Sequence, residues 1–458
     1  MRIPGIEPEL QRAAETIIRA GFKAFLVGGA VRDRFLGRMT SDYDIATDAT
    51  PDQCLRLFPH AIPTGVKHGT ITVIPRSRRF KIEITTFRIE SDYRDGRHPD
   101  SVTFVDDITQ DLSRRDFTIN AMAINLENGT FVDPFDGRAD IAARLVRAVG
   151  NPTARFQEDG LRTLRAIRFA AQLEFSIDPA TLDAVAECRD RLACISSERI
   201  RDEFSKMICS PVPSRALRLL VDTQTILYII PELLECVDVR QPERHRHDVF
   251  NHLAATVDAV SAENLSEERL LILRLAGLFH DIGKSRTARI SENGEISFHR
   301  HELVSETIAR EALVRLKYPN AVIDRVCHLV RHHMFNYQPD WSDAAVRRFL
   351  ARVGLDALED LFALRLADTI ATMGAPVSWP LIAELKSRIE KIVKDGEALS
   401  LRDLAVNGHD LAAIGIPKGR EMGAMLSELL DAVLEDPSLN TREHLLRIAK
   451  SKYFHVNE

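Results

Sequence analysis

The spacing of apolar positions changes character near residue 140. Ahead of it, helix and strand patterns alternate. The stretch MRIPGIEPELQRAAETIIRAG has the period of an amphipathic helix ended by Gly21. FKAFLVGG is an apolar run stopped by two glycines, which predicts a strand entering a turn, and VRDRFLG predicts a short helix after it. GTITVIP and RFKIEITTF are rich in β-branched residues that alternate or run apolar, so two strands joined through PRSR are expected. MAIN and GTFVDPFDG predict another short strand pair about the turn ENG. Beyond Asp140 the strand signals almost vanish. ARFQEDGLRTLRAIRFAAQLEF and nearly everything after it carry the helical period, with breaks at Ser210–Pro213, Pro231, Gln241–Glu243, Gly374–Pro376, Lys394–Gly396 and Pro437. The tail segment TREHLLRIAK opens on Thr441 as N-cap, with Glu443 in its first turn. The expected fold class is α+β: a small mixed-sheet head, then an all-helical neck, body and tail.

Composition narrows this picture. A chain of 458 residues suggests about three domains. Lys and Arg number 61 against 67 Asp and Glu, which excludes a uniformly basic nucleic-acid coat but not a local basic groove. Arg144–Arg218 is such a place, with 13 basic against 10 acidic residues, a modest excess suited to phosphate contact. Six cysteines without a C-x-x-C pair read as reduced thiols and point to the cytoplasm. No run approaches ~18 apolar residues, so no membrane partner is expected. The N-terminus lacks the charge, apolar core and cleavage-site order of a signal peptide. Of the 15 histidines, nine lie between His245 and His333.

The head carries residues suited to phosphates. Gly28 and Gly29 lie between a strand and a helix that begins near Ala30, where backbone approaches an anion easily and free N–H groups point at it. Arg32 follows in the first turn. Asp42 and Asp44 are two apart on a strand, hence on one face, an arrangement relieved by a cation; hard oxygen ligands suit Mg²⁺. Glu83, between Ile82 and Ile84, faces away from the core and offers a third carboxylate for a two-metal site. Arg114 and Arg115 near a helix start reach phosphates, and Asp116 is placed to accept from a sugar hydroxyl. Asp159 and Arg162, i and i+3 on a helix, present an acceptor and a donor that mimic a base edge, with Arg165 near that face. Each pattern alone also has a plain reading: a tight turn, a solvated strand end, an exposed strand Glu, a charged helix start, an intrahelical ion pair.

The ordered set GGAVRD, SDYDIATDATP, KHGTITV, RRDFTINAMA, DPFDGRADI and EDGLRTLRAIRFAA resembles the class II tRNA nucleotidyltransferases, the CCA-adding enzymes and their bacterial poly(A) polymerase relatives. LAVNGHDLAAIGIPKGREMGAMLSELLDAVLEDPSLNTREHLL also looks like bacterial members, so the resemblance covers nearly the whole chain. It implies that Asp42 and Asp44 hold catalytic Mg²⁺, that Gly28, Gly29 and Arg32 cradle the triphosphate, and that Asp116 contacts the ribose, with Arg114 or Arg115 near triphosphate or primer. It further implies nucleotide-binding roles for Asn120 and Arg165, and a protein template of Asp159 and Arg162 that selects C and then A. The stretch within Arg88–Val105 matches the loop used for the C-to-A switch, which argues against an enzyme that adds only the two C residues. The implied partners are tRNA, CTP and ATP. A basic RRF-x-L-x-H type segment would mark a poly(A) polymerase; here that place reads PTGVKHGTITVIP.

The second half gathers His252, His280-Asp281 in FHDIGK, His301, His332-His333 and Asp368, each in or beside an apolar helical segment. A lone histidine there is usually a satisfied core residue. Several, with two aspartates, fit a transition-metal site assembled from different helices. Their order resembles the HD phosphohydrolase domain: His252, His280, Asp281 and Asp368 match its four-ligand core, while His301 and His332 or His333 match further positions, with His332 taken as the second-metal ligand. The implied metal is Ni, Mn, Co or Fe, and the implied reaction is hydrolysis of a phosphate or 2′,3′-cyclic phosphate.

The resulting expectation is a nucleotidyltransferase head over residues 1–140, a neck with the template over 141–230, an HD body over 231–395 and a tail over 396–458. The rivals are a poly(A) or A-only adding enzyme, an HD phosphohydrolase with a regulatory nucleotide-binding head, and a non-catalytic RNA-binding protein.

Overall fold

The computed structural model describes residues 6–40, 42–65, 69–75, 77, 80–91, 101–242, 246–374, 380–396 and 398–455. The chain packs as two compact units. One comprises Met1–Val237 with Ser266–Leu271 and Glu311–Asn320; the other comprises Asp238–Leu265, Ile272–Arg310 and Ala321–Glu458.

The first unit is built on a seven-stranded sheet. Its strands are β1 (Ala24–Val27), β2 (Asp42–Thr47), β3 (Ile62–Gly65), β4 (Thr70–Val73) and β5 (Lys81–Thr86), with β8 (Ala123–Asn125) and β9 (Phe131–Val132) after a separate hairpin of β6 (Arg88–Ser91) and β7 (Ser101–Phe104). The order is β3-β4-β5-β2-β1-β8-β9, and only the β2–β5 pair is parallel. Residues 92–100, the centre of the expected C-to-A loop, lie outside the described residues.

One sheet face is covered by α1 (Pro8–Arg19), preceding β1 as its periodicity predicts, and by α3 (Pro51–Leu57). α3 starts where Thr50 and Gln53 cap each other and Pro51 presets the first turn. Ile45, Ile71, Ile82 and Ile84 are almost fully buried. This determines the register of β5. A one-residue slip would expose Ile82 and Ile84 and turn Glu83 inward, losing about 3–6 kcal/mol from the two isoleucines alone. Glu83 therefore stays exposed on the other face. There Phe25, Val27, Ala46, Phe87 and Ala123 form a second small core with Ile108 and Leu112 of α4 (Ile108–Ser113). α2 (Gly29–Phe35) follows β1 directly, and α5 (Gly137–Ala142) closes the head.

The neck follows with α6 (Pro152–Glu158), α7 (Leu161–Leu173), α8 (Pro179–Glu187), α9 (Ser197–Ile208) and α10 (Pro213–Asp222), plus a two-residue pairing of β10 (Leu145–Val146) with β11 (Ser176–Ile177). The structure corrects the single helix expected across ARFQEDGLRTLRAIRFAAQLEF: it breaks at Asp159-Gly160. A Cβ on Gly160 would stand 2.8–2.9 Å from Arg191, so the chain needs glycine at that crossing, and the helical period ran through a break it does not register. A second correction concerns Arg114 and Arg115, expected at a helix start. They follow the C-terminus of α4 instead, with Arg114 as its C-cap.

Beyond Val237 the chain is nearly all helical: α11 (Val249–Ala259), α12 (Glu267–Phe279), α13 (Lys284–Thr287), α14 (His301–Arg315), α15 (Asn320–His332), α16 (Asp343–Val353), α17 (Leu358–Met373), α18 (Pro380–Lys394), α19 (Gly408–Ala413), α20 (Arg420–Glu435) and α21 (Arg442–His455). Among the described residues one hairpin interrupts it, β12 (Ala288–Ile290) with β13 (Ile296–Phe298). α11 packs along α17, and Leu411, Leu429, Val433 and Leu445 centre a separate core in the tail. Among the described residues no helix is long and apolar enough to cross a membrane.

Candidate active sites

In the head, sheet register brings the acids together. β2 and β5 run parallel with Asp42 opposite Lys81 and Asp44 opposite Glu83, so Asp42, Asp44 and Glu83 share one face. On the other side Asp44 pairs with Val27, the last residue of β1, which sets the turn at Gly28 against its carboxyl. Gly28 has φ +71°, and a Cβ there would lie 3.0 Å from Arg115 Nη1 and 3.1 Å from Asp44 Oδ2. Its backbone thus occupies the gap between a guanidinium and a carboxylate, which only glycine can do. The Asp44 carboxyl is pushed up to about 6, chiefly by burial, with Glu83 and Asp42 adding repulsion and Arg115 opposing it. Acids crowded in this way fit divalent cations coordinated by oxygen.

Around this cluster runs a hydrogen-bonded chain of side chains. Arg32 Nη1 donates to Asn120 Oδ1 at 2.8 Å, and Asn120 Nδ2 donates to Asp116 Oδ1 at 3.2 Å. Arg165 forks onto Asp116 Oδ2 at 2.7 and 2.5 Å, and the Phe117 amide donates to Oδ1 at 2.8 Å. Burial would raise the Asp116 pKa, but the Arg165 charge and hydrogen bonds from Arg165 and Asn120 win and hold it at about 2. Its four acceptor positions are in use, so a ribose contact requires one of these bonds to be exchanged. Arg165 also lies over the Phe169 ring, 5.5 Å from its centroid, as does Arg32 at 5.2 Å.

Asp159 and Arg162 are close in sequence, yet each is held by another residue. Asp159 lies in the break between α6 and α7, where its Oδ1 accepts from the Leu161 amide at 3.0 Å and its Oδ2 from Arg199 at 3.0 Å. Arg162 donates to Glu158 at 2.6 Å and to the carbonyls of Arg155 and Arg114 at 3.1 and 3.0 Å. Glu158 and Arg199 were missed from the sequence. Glu158 stands four residues before Arg162, a spacing that signals an ion pair, whereas Arg199 of α9 has no local signal. Arg114 turns to Asp111 at 3.0 Å, so of the two arginines Arg115 is the one beside Asp44.

In the second unit, Asp248 caps α11, accepting from the Asn251 amide at 2.7 Å, and so sets the helix turn that carries His252. His252, His280, Asp281, His301 and His333 are buried within one cluster. The Nε2 atoms of His252 and His280 are 3.2 Å apart, and those of His301 and His333 are 3.4 Å apart. Nδ1 of His280, His301 and His333 lies 2.8, 2.9 and 2.7 Å from the carbonyls of Gly277, Phe298 and Val330. A carbonyl only accepts, so each Nδ1 carries a proton and each Nε2 is the atom turned to the cluster, where a cation can replace its proton.

Asp281 stands between the two pairs. Its Oδ2 is 3.4 and 3.2 Å from His252 and His280, and its Oδ1 is 2.9 and 3.5 Å from His301 and His333. Asp368 Oδ1 approaches His252 at 3.3 Å. Burial works against charge on His252, but hydrogen bonds to Asp281 and Asp368 raise it to about 9. Burial would raise Asp281, but the charges of His280 and Lys284 drive it well below the usual carboxylate range. The donor set of imidazoles and carboxylates suits a transition metal on each side of Asp281.

His332, expected as a ligand of the second metal, is not in this cluster. Its ring packs on His328 with centroids 4.6 Å apart, and burial with the His328 charge lowers its pKa to about 4. His333 takes the place instead. The sequence left two adjacent histidines at a helix end, and only packing decides which one turns inward. Lys284, whose Nζ is 2.5 Å from Asp281 Oδ2, and Arg365, 3.0 Å from Asp368 Oδ2, complete the surroundings. Both were missed, although Arg365 stands three residues before Asp368 on α17.

Comparisons with known proteins agree with this layout. Residues 24–147 match the poly A polymerase head domain, residues 174–236 the probable RNA and SrmB-binding site of polymerase A, and residues 249–373 the HD domain. The CCA-adding enzyme of Lactobacillus johnsonii is 34% identical over 93% of this chain and 94% of its own length. That of Enterococcus faecalis is 32% identical over 99% and 98%. The crystal structure of the Bacillus stearothermophilus CCA-adding enzyme in complex with CTP superposes with a TM-score of 0.72 at 30% identity, covering 99% of this chain and all of that one. With identity above 30% and a shared fold over essentially the full length of chain and relatives, the chain belongs to the CCA-adding enzyme family and is a nucleotidyltransferase.

Proposed function

We propose that this chain adds CCA to the 3′ end of tRNA from CTP and ATP. The observation that carries this reading is the crowding of Asp42, Asp44 and Glu83 on one sheet face, with Gly28 and Arg115 against Asp44. The terminal ribose hydroxyl of the RNA attacks the α-phosphorus of the nucleotide, and pyrophosphate leaves. Asp42, Asp44 and Glu83 would hold divalent cations, Mg²⁺ in this proposal, which when bound would acidify the attacking hydroxyl and neutralise the leaving phosphates. Arg115 adds a fixed positive charge beside Asp44, and the backbone at Gly28 and Gly29 leaves room for the triphosphate. Asp116 keeps Asn120 and Arg165 in place through its hydrogen bonds, and Asn120 in turn holds Arg32. Asp159 and Arg162 read the incoming base once Arg199 and Glu158 release or redirect them. The work takes place in the cytoplasm, where tRNA is matured. Incubation with tRNA lacking its last three nucleotides tests the reading: CTP and ATP together yield a CCA end, whereas A-tailing from ATP alone would favour the poly(A) or A-only alternative.

The second centre supports an additional activity, since His252, His280, Asp281 and Asp368 on one side and Asp281, His301 and His333 on the other supply ligands for two metals. Metals held there would supply the activation of water that phosphate-ester hydrolysis needs. Metal analysis of the purified protein and a metal-stimulated phosphatase assay test it; absence of both leaves the centre a structural remnant.

A further inference from the structure

A cavity of about 500 Å³ opens onto the HD cluster, bounded by Asp281, His301, His333 and Asp368 on its polar side. That size falls within the ~300–1,000 Å³ of sites that take small organic ligands and exceeds what a phosphate alone needs. Two cations line it. Lys284 is only 9% exposed in its side chain and is held by Asp281 at 2.5 Å and Gln241 at 2.8 Å, so it braces the metal ligand. Arg365 is 30% exposed and leans on Asp368 Oδ2 at 3.0 Å, while Oδ1 of the same carboxylate faces His252. Arg365 therefore offers a guanidinium to the cavity immediately beside the metal-binding side of Asp368.

Thr369 and Thr372 line the cavity on the same face of α17, one and two turns beyond Arg365. Each hydroxyl donates its only proton to a backbone carbonyl four residues earlier: Thr369 to Arg365 at 2.9 Å, Thr372 to Asp368 at 2.9 Å. Toward the cavity they present acceptor lone pairs alone. Such oxygens repel a phosphate and suit a donor, such as a sugar hydroxyl or a base amino group. The remaining wall is mostly apolar and includes Phe298, Met334 and Met373, the two methionines more than half exposed at 59% and 57%. Apolar surface of this kind accepts a flat base.

Resting on the hydrolase reading above, we propose that Arg365 and Thr369 form the substrate-binding wall of the HD centre, taking a ribonucleotide phosphate monoester by its phosphate and its neighbouring hydroxyl. Arg365 binds the phosphate, Thr369 accepts from the hydroxyl about one helical turn away, and the base lies on Phe298 and the methionines. In the reaction the oxygen of water bonds to phosphorus, the ester P–O bond breaks, and the proton ends on the sugar oxygen, giving a nucleoside or RNA hydroxyl and inorganic phosphate. The source is either a free nucleotide or the 3′-phosphorylated end of an RNA.

The test uses the full-length, metal-loaded protein with four substrates: p-nitrophenyl phosphate, cytidine 3′-monophosphate, its 2′-deoxy analogue, and an oligoribonucleotide ending in a 3′-phosphate. Wild type should bind the ribonucleotide at least ~10-fold more tightly than the deoxy analogue by calorimetry, and KM should follow. T369V should erase that preference, with the bound metal at the wild-type level. R365A should raise KM for every substrate at least ~10-fold, with R365K recovering part of it, and the bound metal should stay at the wild-type level. Whichever ribonucleotide arm is preferred identifies the source. No hydrolysis of any substrate by wild type overturns the hydrolase reading itself. Hydrolysis without ribose preference, or with T369V and R365A unchanged, overturns the binding wall alone.

Discussion

Asp44 and Glu83 are register partners on parallel neighbouring strands, so their carboxyls stand side by side at the edge of the head's open face. Two acids held there by strand pairing repel unless a cation bridges them. D44N and D42N should each lower CMP incorporation into tRNA lacking CCA by at least ~100-fold, since several kcal/mol of charge stabilisation is lost. The thermal midpoint of D44N should equal or exceed that of wild type, because a repelling charge is removed. A midpoint that collapses would mean that the cluster is structural.

Gly28 and Gly21 both adopt positive φ, +71° and +89°, but only Gly28 has side-chain atoms where a Cβ would go. G21A and G28A should each cost about 1–3 kcal/mol in unfolding free energy from backbone strain. G28A alone should also displace Arg115 and Asp44 and abolish nucleotide transfer. Equal activities in the two variants would remove the argument for a close approach.

Asp116 carries a pH signature. Its folded pKa of about 2 lies below the ordinary 3.8, held down by Arg165. The ionised form therefore stabilises the fold, fully above pH ~4, and this contribution is lost as pH falls toward 2. The stability gap between wild type and D116N, measured by urea unfolding, should shrink by about 2 kcal/mol across that window. A gap independent of pH would show that the Arg165 pair contributes nothing through charge.

Glu158 holds Arg162 and Arg199 holds Asp159, the two residues proposed to read the incoming base. R162A should alter the choice between CTP and ATP about 10- to 100-fold, the worth of a hydrogen bond left unmade. R199A, which releases Asp159, should alter the same ratio by less. Single-nucleotide incorporation measures both; unchanged ratios would detach this corner from nucleotide choice.

At the second centre, His333 faces Asp281 and His332 faces His328. H333A should reduce bound transition metal by about one equivalent per chain, read by elemental analysis, while H332A should leave it unchanged. The reverse result would restore His332 as the ligand.

The alternation of β2 and β5, the glycine pair after β1 and the order of motifs are local patterns, and they suffice to identify the α+β head, the acid pair and the family. Periodicity likewise marks the helical body and the histidine-rich stretch within it. What the chain does not display locally is which partner each charged group finds. Arg162 turns to Glu158 instead of Asp159, because a break at Gly160, required by the close passage of Arg191, carries Asp159 off the helix toward Arg199. His333 displaces His332 because the end of α15 is oriented by the burial of Leu329 and Val330, whose carbonyl then holds the His333 ring. Residue type and spacing determine which chemistry is available. Packing of distant segments alone decides which atoms meet, since a hydrogen bond or metal site depends on positions that no single stretch of sequence controls.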